Sequence, residues 1–155
     1  MTKQYPESAA PDRRFARRAL TLLLVAMVGT VTVLRASLAL SPNSDFNVLG
    51  YNIHHLFTGV LIVTACAIPL AVGVAAGRLR DALVAGLGVG LGLVLDEWVY
   101  LIATDGTNAS YLLPVSFWGA VIVVGAAAVY AVVWYVMSRQ NRATVSAEGS
   151  VHHSP

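Results

Sequence analysis

Charge is scarce in this chain. Lysine, arginine, aspartate and glutamate make up 12% of its 155 residues, about half the share found in soluble domains. With 57% hydrophobic residues and a mean hydropathy of +0.69, that scarcity points to a membrane protein of one domain. The net charge of +2 is too small to suggest nucleic acid, so no such partner is expected. Cysteine is reduced to Cys66, which excludes a disulfide within the chain. Set between Ala65 and Ala67 in an apolar run, it reads as a packed small side chain rather than a reactive thiol. Motifs of familiar chemistry are missing too. There is no Walker pattern, no G-x-S-x-G, no H-E-x-x-H and no E-x-x-H.

What is present is a set of long apolar runs. Ala19–Leu40, Asn52–Val74, Ala82–Ala103 and Pro114–Met137 each approach the ~20 residues that span a ~30 Å hydrocarbon core. The expected fold class is therefore all-α, an integral membrane bundle of four transmembrane helices in residues 19–137. A basic tail (1–18) precedes it and a polar tail (138–155) follows. Arg13 and Arg17, like Arg14 and Arg18, stand at i, i+4, so the first helix is expected to begin before the membrane. These arginines read as a topogenic flank and equally as contacts for anionic lipid headgroups, each giving about 1 kcal/mol. A basic flank before an apolar run also describes a signal peptide. The run's length, its Arg35 and the lack of an A-x-A site before Ser41 argue against cleavage.

Ser41–Tyr51 and Thr104–Leu113 carry turn residues and are expected to be loops. Asn108-Ala109-Ser110 fits the short glycosylation acceptor pattern. Pro69 should kink the second span. In the third span Gly86, Gly88, Gly90 and Gly92 recur at every second residue. They form two helical pairs, Gly86/Gly90 and Gly88/Gly92, that let neighbouring backbones approach. Trp118 and Trp134-Tyr135 stand near the two ends of the fourth span, where aromatic belts lie.

The positive residues fix an orientation. Arg13–Arg18, the turn with Arg78 and Arg80, and the tail with Arg139 and Arg142 alternate with two loops that contain no lysine or arginine. The positive-inside rule then puts both termini in the cytoplasm, in a cell membrane expected to be a prokaryotic inner or plasma membrane. It also gathers Arg35, Asn52, His54, His55, Asp96, Glu97 and Tyr100 at one depth, the outer third of the bundle.

Charges at that depth need partners, because an Asp at the centre of a membrane helix costs roughly +2.5 to +3.5 kcal/mol. Asp96 and Glu97 point about 100° apart on their helix. Asp96 shares a face with Gly92 and Gly88, and Glu97 with Gly90 and Gly86. Tyr100 can reach either acid. Arg35 can snorkel to the interface or turn inward onto a carboxylate. Counted outward from Gly77, His55 and Glu97 stand within about 3 Å in height, which makes them the expected central pair. Three readings stay open. The cluster can set helix register or dock a membrane partner. His54, His55, Asp96 and Glu97 can hold a divalent metal such as zinc or iron. The acids and histidines can relay protons or ions in an oligomer. His152-His153, in the tail, reads as solvated.

Asn52-x-His54-His55-Leu56-x-x-Gly59 with Gly88-x-Gly90-x-Gly92-x-x-x-Asp96-Glu97 resembles a loose group of small prokaryotic integral membrane proteins. These place a His-His stretch on one helix and an Asp-Glu stretch on the next. The resemblance spans roughly Asn52 to Tyr100. It implies that the two pairs belong to one site and brings no activity. The expected partners are the lipid bilayer and a second copy or another membrane protein.

Overall fold

The structure, a computed structural model, describes residues 13–40, 47–48, 51–52, 55–73, 75–105, 108–111 and 113–151. Four long helices dominate: α1 (Arg13–Leu40), α2 (His55–Val72), α3 (Gly77–Ala103) and α5 (Pro114–Val151), with a single turn, α4 (Asn108–Tyr111), before the last. All four long helices are long and apolar enough to cross a membrane. The only strands among the described residues are β1 (Asn47–Val48) and β2 (Tyr51–Asn52), a two-residue antiparallel pairing with Asn47 opposite Asn52.

Several boundaries differ from those expected of the sequence. α1 begins at Arg13, ahead of the apolar run as the i, i+4 arginines imply, so the arginine flank is helical from its start. α2 is shorter than the apolar run: Asn52 pairs in β2, and the helix starts at His55. Asn52 and His55 therefore do not share a helical face. Pro69 is accommodated inside α2. The turn expected to hold Arg78 and Arg80 is over by Gly77, where α3 begins; Gly73 (φ 75°) and Gly77 (φ 54°) take left-handed conformations that only glycine adopts without strain. Arg78, Arg80 and Asp81 consequently lie within α3. α5 continues well past Met137, to Val151, so Arg139 and Arg142 stand on the same helix as the apolar run. The last four residues, with His152 and His153, lie outside the described residues.

α3 is the axis of the bundle. A third of the residues in its span are buried, against 6% in α1 and α2 and 11% in α5, and α1, α2 and α5 all pack on it. The glycines explain how three helices reach one. A Cβ built at Gly88 would lie 2.5 Å from the Leu23 carbonyl oxygen, and one at Gly92 would lie 2.7 Å from that of Met27, both on α1. A Cβ at Gly90 would meet the Gly59 carbonyl oxygen at 2.9 Å, and one at Gly86 the Cys66 sulfur at 2.6 Å, both on α2. Each glycine pair thus admits one neighbour to backbone contact. The α5 interface works the other way round. Gly119 of α5 makes room for Val99 of α3, in line with Ser116, Ala120 and Val124, all buried. Most large apolar side chains elsewhere face outward, among them Val25, Leu61, Ile102, Ile122 and Val129, as suits a solvent of acyl chains.

Candidate functional site

Each acid of α3 completes the stripe of glycines below it. Asp96 follows Gly88 and Gly92 on the face that packs on α1, and there it meets Arg35. The Arg35 Nε–Asp96 Oδ1 separation is 2.8 Å, with the arginine side chain 12% exposed and the aspartate 0%. Glu97 follows Gly86 and Gly90 on the face that packs on α2. Its Oε2 accepts a hydrogen bond from the Leu56 backbone N–H at 2.7 Å. That N–H belongs to the first turn of α2, which contains no acid of its own. Glu97 therefore caps a neighbouring helix, placing a carboxylate against unsatisfied N–H groups and the positive end of the helix dipole.

Arg35 ties the cluster together. Its Nη1 donates to the Tyr111 carbonyl oxygen at 3.1 Å, and its Nη2 to the Asp96 carbonyl oxygen (3.4 Å) and to the Ser116 carbonyl oxygen (3.3 Å) and Oγ (3.2 Å). The guanidinium carbon lies 4.1 Å from the centre of the Tyr111 ring, a cation–π distance. The Tyr111 hydroxyl in turn donates to Asp96 Oδ2. Both oxygens of Asp96 and all three nitrogens of Arg35 are thus engaged, and α1, α3, α4 and α5 meet in one network. No buried side-chain nitrogen or oxygen among the described residues lacks a partner.

The sequence expectations meet this geometry unevenly. Arg35 turns inward rather than snorkelling. The tyrosine on Asp96 is Tyr111, whereas Tyr100, also buried, stands edge-on to the Tyr111 ring with centroids 5.1 Å apart and hydrogen-bonds Ser110. His55 opens α2 beside Leu56, whose backbone N–H donates to Glu97. His54 lies outside the described residues, and Asn52 stands on β2. Among the described residues, no three of His, Cys, Asp and Glu are placed to hold a metal ion. Ser110 of the glycosylation pattern is buried and donates to Thr104 Oγ1 at 3.1 Å, while Thr104 closes the end of α3 on the Tyr100 carbonyl oxygen.

Tyr111, Ser116 and Gly119 carry no charge that would have demanded a partner, and sequence reasoning passed over them. Ser116 had one readable signal, since Ser116, Ala120 and Val124 recur at i, i+4. A crevice of about 380 Å³ lined by Arg35, Ala39, Pro114, Phe117 and Trp118 flanks the network, and Arg35 is its one charged wall. The chain matches no known family, no curated protein and no solved structure.

Proposed function

We propose that the polar cluster pairs helices: it locks the outer end of a four-helix membrane bundle that acts through the surfaces it shows to lipid and to membrane partners, not through bond-making at the cluster. The observation that carries this reading is the engagement of the Arg35–Asp96 pair. A catalytic carboxylate or a metal ligand has to be reached by substrate or ion, and here Asp96 is 0% exposed, with Arg35 on one of its oxygens and Tyr111 on the other. The fixed, near-fully buried geometry is what a register-setting pair requires. Glu97 extends the same role to α2 by capping it.

The test is elemental analysis and proton-flux assay of the full chain purified without a histidine tag. A helix-pairing role predicts substoichiometric zinc and iron, no proton flux in liposomes, and loss of stability in Arg35→Ala. Stoichiometric metal that disappears in both Glu97→Ala and His55→Ala would replace this reading with a metal site. Proton flux abolished by Asp96→Asn would replace it with a relay.

A further inference from the structure

The opposite end of the bundle holds a second concentration of charge. Where α1 meets the tight turn into α3, a crevice of about 390 Å³ is lined by Arg14, Phe15, Arg18, Ala75, Ala76, Gly77, Arg80 and Asp81. A second crevice, about 370 Å³, shares Arg14 and Arg18 with the first and adds Arg17, Thr21 and Leu22. Three guanidinium groups face one carboxylate in the first. Two of these arginines are held in place from the protein side. Arg80 stacks on the Phe15 ring, 3.9 Å from its centre, and Arg18 Nη2 lies 2.7 Å from Asp81 Oδ2. The positive end of α3 opens into the same space, with Ala76 supplying no side-chain cap, which adds to the field of the arginines.

We propose that these adjoining crevices form a binding site for an anionic phospholipid of the inner leaflet, its phosphate among Arg14, Arg18 and Arg80. Topogenic charge needs only to be on the right side of the membrane. It does not need a cavity, or a guanidinium stacked on a ring and drawn from two separate helices. Arginine's planar fork suits phosphate oxygens. The second crevice gives the lipid its direction: Thr21 and Leu22 lie one turn further into α1 from Arg17 and Arg18, so a headgroup among the arginines leaves its acyl chains along the apolar wall of α1. Basic pockets at the ends of membrane helices have the right chemistry for such headgroups. The site rests on the four-span membrane reading and is independent of the role given to the outer cluster.

The experiment is a thermal-stability titration of the full chain in neutral-detergent micelles doped with phosphatidylglycerol, phosphatidylcholine or inorganic phosphate. Phosphatidylglycerol raises the melting temperature, and the other two do not. Arg14→Gln and Arg80→Gln each raise the phosphatidylglycerol needed for half the effect about fivefold, and together about 25-fold. Arg80→Lys, which keeps the charge and loses the planar fork, falls between wild type and Arg80→Gln. Arg139→Gln, a basic residue of the same side outside both crevices, leaves the titration unchanged. An equal loss in Arg139→Gln would show general surface charge and overturn the site. An equal shift with inorganic phosphate would overturn the lipid, and no shift with phosphatidylglycerol would overturn both. Flotation with neutral vesicles tests the membrane reading separately, so a chain that floats without responding to phosphatidylglycerol refutes the site alone.

Discussion

Arg35 and Asp96 are 61 residues apart in sequence and 2.8 Å apart in space. Removing one partner of a buried pair leaves a charge with nothing to answer it, and typically costs about 3–5 kcal/mol, whereas replacing both with apolar groups is often near neutral. Arg35→Ala and Asp96→Ala should each lower stability in detergent by about that amount, and Arg35→Met/Asp96→Leu should recover most of it. Chemical or thermal unfolding of the four proteins checks this, and additive losses would show that the two side chains do not act as a pair. Glu97 makes a milder case. Glu97→Gln keeps an acceptor for the Leu56 N–H but loses the charge at the helix end, a change of about 1 kcal/mol or less. Glu97→Ala loses both, so hydrogen exchange at the Leu56 and Phe57 amides should quicken more in Glu97→Ala than in Glu97→Gln. At this scale, the need of Arg35 and of each acid for a partner was legible, because an unanswered charge in hydrocarbon is expensive. Which neutral groups would join them was not. A tyrosine in a turn-rich loop and a serine in an apolar run carry no comparable demand, and Tyr111 and Ser116 were found only by the fold.

At the scale of the helix, spacing carried most of the information. Two glycine pairs offset by two residues present two faces of α3, and those faces receive α1 and α2. The third interface was harder to read, since its small residue, Gly119, lies on α5 and accepts a side chain from α3 instead of a backbone. The helix ends were least legible. The apolar run containing α2 extends beyond the helix on both sides, and hydropathy alone does not register a two-residue strand or a left-handed glycine. The glycine contacts predict an order of effects. Gly88→Ala and Gly90→Ala press a methyl on backbone carbonyls that cannot move aside, so each should destabilise by about 1–3 kcal/mol. Gly86→Ala meets a single sulfur atom of Cys66 and should be milder, and Gly86→Ala with Cys66→Ala should be milder still. Melting temperatures in one detergent suffice, and a Gly86→Ala loss equal to that of Gly88→Ala would contradict this packing.

For the molecule as a whole, the four-span reading predicts both termini on one side, and the arginine distribution predicts that this side is the cytoplasm. Cysteines introduced at Asp105 and at Arg78, both exposed, test it in a Cys66→Ala background. An impermeant thiol reagent should label Asp105→Cys in intact cells and Arg78→Cys only after permeabilisation, and the reverse pattern would invert the bundle. The central place of α3 also bears on how the chain is made. α1 leaves the ribosome carrying Arg35, and α2 follows without the carboxylate that its Leu56 N–H meets in the finished fold. The residues that answer both, Asp96 and Glu97, are adjacent and are synthesised dozens of residues later. On the four-span reading, until the third helix arrives the nascent protein lacks the partners that Asp96 gives Arg35 and Glu97 gives the Leu56 N–H, so one dipeptide would serve as a completion signal for the first half of the chain. A message truncated after the second span should yield a product that membrane proteases clear quickly, and one truncated after the third should persist.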